Sequence, residues 1–204
     1  MVTMLEVFDA KLREATSMDE HVRPFVCEGS PLDSQIFIVG FNPATEVEFW
    51  RFWSALNGFD KQEWLKEYRQ QRAAAGKDRP SNTRRAIEWI VEAARPVRCL
   101  ETNLHCISSR KEKDLAPQWR STAIFDFLLE TIRPPVILVH GKKARTHLQG
   151  LLRCCEIELW KARSVSWGSR KIIVYAGPHL SRGWSEYRAR EVGTELSALC
   201  HKGR

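Results

Sequence analysis

Short unbroken apolar runs set the framework of this chain. Ile36-Phe-Ile-Val39 and Val136-Ile-Leu-Val139 each place four apolar residues in a row, as strands covered on both faces do. Val97 to Leu104 reads as another strand, and residues 157 to 175 hold one or two more, the clearest being Lys171 to Tyr175. Between these runs the apolar positions take helical spacing. Leu5, Phe8 and Leu12 mark a first helix ending near Ser17, and a second starts at about Lys61. Ala86, Ile87, Ile90, Val91 and Ala94 share one side of Thr83 to Ala94, and Ile124, Phe127, Leu128 and Ile132 one side of Trp119 to Ile132. Helices over about Ala144 to Leu152 and Ser185 to Cys200 complete the set. Residues 21 to 34, with Pro24, Gly29 and Pro31, read as irregular. Strands alternating with helices predict an α/β fold: a three-layer αβα sandwich around a mostly parallel central sheet of four or five strands. No repeat or low-complexity linker divides the chain, so residues 1–204 are expected to form a single domain.

The polar residues that matter follow the strands. In a parallel sheet the loops leaving the strands gather at one edge, where ligands bind. The first loop is Gly40-Phe-Asn-Pro-Ala-Thr45. Gly40 permits close approach of backbone to a ligand and Pro43 fixes the turn; Asn42 either closes that turn or faces a ligand. The second loop carries Asn103 and His105 and continues into a polar segment, Ser108 to Asp114. The third, Ala176 to Trp184, carries His179 and Ser181. Any one of these reads equally well as turn chemistry, and their convergence is what suggests a site. The aromatic cluster Phe49, Trp50, Phe52 and Trp53 has helical spacing and serves either as core or, near the strand end, as a stacking surface. His140-Gly-Lys-Lys-Ala144 lacks the Walker spacing and reads as a strand-to-helix turn.

Charge narrows the choice of partner. The chain carries a formal net charge of +7, which favours a polyanion. Arg69, Arg72, Lys77, Arg79, Arg84 and Arg85 lie close together, as a solvated face or as phosphate contacts. The six cysteines form no Cys-x-x-Cys pair and read as small buried residues in a reducing compartment; no metal site is expected. The absence of a bilayer-length apolar run or a signal-peptide pattern leads to a cytoplasmic expectation.

Taken in order, the strand-end motifs resemble the uracil-DNA glycosylase superfamily. Gly40-Phe-Asn-Pro43 resembles the first motif of its mismatch-specific and single-strand-selective branches. Arg51-Phe-Trp53, with Leu56 and Gly58-Phe59 after it, is similar to a segment downstream of that motif. Thr102-Asn103 resembles the base-reading Asn position, and Val139-His-Gly-Lys-Lys-Ala144 the Gly-x-x-Ala turn after the third strand. His179-Leu-Ser181 with Gly183-Trp184 resembles the second motif, in which Pro usually stands where this chain has Leu180. Ala44 likewise replaces a usual Gly, and no Asp occupies the water-activating position of the most efficient branch.

The resemblance implies hydrolysis of the N-glycosidic bond of uracil or a related deaminated or mismatched base in DNA, in base excision repair, by a monomer needing no metal or organic cofactor. It implies Asn42 and His179 as catalytic groups. Gly40, Phe41, Pro43, Phe49, Trp50, Asn103 and Ser181 would bind the extruded base and its sugar, with Phe49 or, failing that, Trp50 stacking on the base. Arg182, Arg79, Arg84 and Arg85 would contact DNA. The departures at Ala44 and Leu180 motivate one alternative, a catalytically weak glycosylase-fold protein that binds nucleic acid; a hydrolase of a small base-bearing ligand is a second.

Overall fold

The computed structural model describes residues 2–17, 19, 21–109, 114–154 and 156–202. Part of the expected polar loop, residues 110–113, and Cys155 lie outside the described residues. In chain order the elements are α1 (Met4–Thr16), β1 (Phe25–Cys27), β2 (Ile36–Gly40), β3 (Trp53–Ser54), β4 (Gly58–Phe59), α2 (Lys61–Ala74), α3 (Asn82–Ala93), β5 (Cys99–Asn103), α4 (Ala123–Ile132), β6 (Val136–His140), α5 (Lys142–Leu151), β7 (Ala162–Trp167), β8 (Arg170–Gly177) and α6 (Glu186–Lys202). They divide between two compact units. One comprises Met1–Asp33, Asn42–Arg79 and Leu100–Arg133; the other comprises Ser34–Phe41, Pro80–Cys99 and Pro134–Arg204.

The first unit is built on aromatic packing. Its α1 starts with a capping box: Thr3 Oγ1 accepts from the Glu6 N–H at 3.2 Å, and the Glu6 carboxylate accepts from the Thr3 N–H at 2.6 Å. This satisfies donors that a helix start otherwise leaves open. Phe8 and Leu12 turn inward from it. β1 runs antiparallel to β5, with Phe25 opposite Thr102. The fully buried Phe49 meets Phe25 edge-on at 4.9 Å and lies nearly parallel to Phe59 at 5.2 Å and Trp53 at 5.9 Å. Trp53 and Phe59 face each other across the β3–β4 pair. Gly58 in that pair has φ +79°, and a Cβ there would collide with the Gly29 backbone, so no other residue fits.

The second unit holds the parallel strands. β2 pairs with β6, and β6 with β8, both in parallel; β7 returns antiparallel along β8. Ile36, Ile38, Val136 and Leu138 face a core completed by Ile87, Ile90, Val192 and Leu196 from α3 and α6. Gly193 lets those two helices close up, because a Cβ there would run into the Ile90 carbonyl. The runs Ile36–Val39 and Val136–Val139 are buried at every position, as their composition predicts: a strand covered on both faces has no side that benefits from polarity.

The class is α/β with both parallel and antiparallel strand pairs. Six strands (β1, β2, β5, β6, β7 and β8) enter the main-sheet pairings, where four or five were expected. The added ones are marginal in sequence. β1 has only three residues and lies within the stretch read as irregular. β7 is mostly exposed. The aromatic cluster forms a short 3-10 turn, Trp50–Phe52, followed by β3, so its i, i+4 spacing does not mark an α-helix. Trp119 ends a separate 3-10 turn, and α4 begins only at Ala123. Among the described residues no helix is long and apolar enough to cross a membrane.

Candidate active site

The candidate residues fall in both units, and local contacts hold those of each unit in place. In the second unit the loop after β8 forms a tight turn. The Arg182 N–H donates to the His179 carbonyl at 3.0 Å, closing a four-residue β-turn with Leu180 and Ser181 at its centre. The Ser181 N–H turns back and donates to Nδ1 of His179 at 3.2 Å, with Ser181 Oγ 2.8 Å from the same nitrogen. A backbone N–H can only donate, so Nδ1 is the accepting, unprotonated nitrogen and the neutral ring carries its proton on Nε2. The histidine plays the part an Asn or Asp plays in a side-chain-capped turn.

Three further contacts fix this turn. Leu180 is 1 % exposed and joins the core beside Tyr175 and Val192, so the turn has an aliphatic anchor. Trp184 donates from Nε1 to the Pro178 carbonyl at 3.2 Å. Its ring covers Gly177, where a Cβ would come within 2.6 Å of Trp184 Cζ2. Gly141 has φ +86°, and a Cβ there would touch His179 Cδ2 at 3.3 Å, so the glycine both makes the turn into α5 and gives the imidazole room. His140, which ends β6 and is 6 % exposed, sets its ring edge-on to His179 at 5.4 Å. At the end of β2, Gly40 is buried and the half-buried Phe41 has the Lys143 ammonium 5.7 Å from its ring centre.

In the first unit Asn42 spends both of its amide hydrogens on the protein. Nδ2 donates to the Pro43 carbonyl and to the Ser109 carbonyl, each at 3.0 Å. The Ser109 N–H in turn donates to the Pro43 carbonyl at 2.8 Å, and Ser108 Oγ to the Thr45 carbonyl at 3.0 Å. Two carbonyl partners leave one choice of amide orientation. Oδ1 accepts from no described residue, so it remains an acceptor. Asn42 therefore closes the turn, one of the two roles its sequence position offered, through Nδ2. Asn103 ends β5 half-buried, and its side-chain amide bonds to no described residue, leaving both a donor and an acceptor.

Four of the expected contact residues are buried or already engaged within the protein. Phe49 has no exposed ring surface, because its neighbours Phe25, Trp53 and Phe59 already pack against it; a base cannot stack there. Trp50 is half-exposed, but the Arg13 guanidinium sits 4.8 Å from its ring centre. Arg84 is 6 % exposed and donates to Glu88 at 2.9 Å; it faces inward and is not a DNA contact. Arg85, half-buried, donates to Asn82 Oδ1 at 2.7 Å and lies 5.7 Å over Trp89. Arg79 and Arg182 are exposed. Arg79 lends its carbonyl to two donors of Arg72, at 3.0 and 2.7 Å. Among the described residues there is no group of three or more His, Cys, Asp or Glu able to hold a metal ion.

Asn82, Gly141 and Trp184 bear on the site without having been candidates. Gly141 and Trp184 stood beside motif residues in the sequence. Asn82 gave no signal, since its partner lies far along the chain. No family model matches the chain, and no curated protein matches it.

Proposed function

We propose that this chain is a monofunctional DNA glycosylase that hydrolyses the N-glycosidic bond of uracil or a related deaminated or mismatched base, leaving an abasic site. The observation carrying this reading is the occupied Nδ1 of His179. With Ser181 donating to that nitrogen, the neutral imidazole is a donor at Nε2. Glycosidic cleavage builds negative charge on the departing base, and a fixed donor aimed at a base carbonyl stabilises that charge without proton transfer. The bond breaks toward an oxocarbenium-like sugar, water adds at the anomeric carbon, and the base leaves as an anion that solvent protonates.

Asn42 supports the same chemistry. An amide is no general base, but its anchored Nδ2 leaves Oδ1 to accept a hydrogen bond from the attacking water and orient it. Asn103 offers the donor and acceptor that suit the paired N–H and C=O edge of a uracil-like base, and Gly40, Phe41, Pro43 and Ser181 contribute backbone and side-chain contacts around it. Arg182 and Arg79, both exposed, are the phosphate contacts of this reading. The base is extruded from the stack, which costs a few kcal/mol and least in single-stranded or mismatched DNA. The fold proposed with this activity is the three-layer sandwich around a mostly parallel sheet, acting as a monomer on DNA.

The test is an abasic-site assay. Labelled oligonucleotides carrying uracil, hypoxanthine, xanthine or mismatched thymine, single- and double-stranded, are incubated with the protein and cleaved with alkali. Cleavage of at least one substrate, cut roughly tenfold or more by Asn42→Ala and by His179→Ala, is expected for loss of a transition-state interaction. No product across the panel from folded protein overturns the proposal.

A further inference from the structure

We infer that Arg85 and Asn82 are positioning residues for His179, acting through the Ser181 peptide and not through DNA. The inference rests on the glycosylase reading for its consequence in catalysis, while its structural content stands apart from it. The chain of bonds is continuous within one unit. Arg85 Nη2 donates to Asn82 Oδ1 at 2.7 Å. That bond fixes which end of the Asn82 amide is oxygen and turns Nδ2 toward the Ser181 carbonyl, to which it donates at 3.3 Å. The peptide so held is the one whose N–H, on Arg182, closes the turn to the His179 carbonyl at 3.0 Å. One residue back, the Ser181 N–H meets His179 Nδ1 at 3.2 Å.

Ser181 is thus held from both sides. Leu180 ties the preceding residue to the core, and Asn82 ties the following peptide to the start of α3. Ser81 caps that helix by accepting from the Arg84 N–H at 3.2 Å, so Asn82 sits on a fixed element. Rigid support is what an exposed imidazole needs if its tautomer is to persist, because solvent competes for both ring nitrogens. Arg85 has its own support in Trp89, 5.7 Å beneath the guanidinium. A guanidinium engaged in this way serves the turn, where sequence position alone suggested a phosphate partner.

The full chain, labelled with 15N, is observed by long-range correlation of the imidazole nitrogens at a pH where His179 is neutral, with His179→Gln assigning the signals. Wild type is expected to show one tautomer, protonated at Nε2. Arg85→Met and Asn82→Ala are each expected to bring in the second tautomer in the absence of DNA. They should also lower the single-turnover cleavage rate roughly fivefold, the order set by one ordinary hydrogen bond, and change DNA affinity at fixed salt by less than twofold. Arg85→Lys, which keeps a donor on a similar stem, should restore the single tautomer. An unchanged tautomer signature in both variants overturns the proposal, as does an effect confined to DNA affinity with a shallower salt dependence. If wild type cleaves no substrate while the tautomers respond as expected, the positioning role stands and the glycosylase reading falls.

Discussion

Replacing Leu180 by Ala probes the link between core and site most directly. The side chain is 1 % exposed and packs in the cluster that includes Ile36, Leu138, Tyr175 and Val192, so truncation removes three buried carbons and leaves a cavity that surrounding strands cannot easily collapse into. Leucine-to-alanine changes at such sites cost about 2–5 kcal/mol, and about 3 kcal/mol is expected here. For a chain of this size that corresponds to a fall in Tm of roughly 6–12 °C. Urea titration followed by circular dichroism, with a thermal melt, measures both. Leu180 is also a central residue of the turn that carries His179, so under the proposed glycosylase reading the cleavage rate, taken well below the melting range, should drop roughly tenfold or more as the imidazole loses its fixed position. Leu180→Met retains the volume and should cost less than about 1.5 kcal/mol. Leu180→Pro keeps a residue suited to the turn but gives up most of the buried aliphatic chain, and should cost about 1–2 kcal/mol. A loss below about 1 kcal/mol for Leu180→Ala would refute the anchoring argument.

The two arginines on either side of the burial divide should respond oppositely. Arg84→Ala strips the partner from Glu88 and the packing of a buried stem, so stability should fall by about 1–3 kcal/mol with no change in the salt dependence of DNA binding. Arg182→Ala should leave stability within about 0.5 kcal/mol and, under the proposed DNA-binding role, reduce the slope of log affinity against log salt by about 1; a reversed pattern contradicts both proposals. Cys106 supplies a pH test. Burial pushes its thiol from 9.0 up to about 12, so between those values the folded state holds a proton that the unfolded state has released. Stability therefore falls as pH rises through that window, by about 1.4 kcal/mol per unit from this group. Tyr175, raised by burial to about 12, acts in the same direction above pH 10. Urea titrations from pH 8 to 11 should show a slope that is shallower in Cys106→Ala by that contribution, and equal slopes would count against it.

Much of the framework is legible because it depends on local pattern. The runs at residues 36–39 and 136–139 and the apolar stripe of α3 each announce their element within a dozen residues. Two of the misreadings, at β1 and at the aromatic cluster, come from non-local pairing. β1 has too few residues to show a period, and it exists because β5 accepts it. The aromatic cluster carries a helical spacing by coincidence, and its backbone follows the β3–β4 pair and the collision-free Gly58 instead. Arg84 and Arg85 are neighbours in a basic run, yet one turns to Glu88 and the other to Asn82. A charge run cannot reveal the helical phase at which it meets the core.

By itself the sequence determined the α/β class, most helices, the buried parallel strands and the strand-end residues worth considering, Asn42, Asn103, His179 and Ser181 among them. These follow from short-range rules: how often apolar residues recur, and where glycine and proline interrupt them. Tertiary structure alone decided the states of those residues. The orientation of the Asn42 amide depends on a carbonyl 67 residues away, and the support of the His179 turn on an asparagine 99 residues before Ser181. Burial alone separates Phe49 as core from Arg182 as surface. A hydrogen bond or a packed face is a property of two distant segments brought together, and a pattern read along one segment carries no record of what the other will present to it.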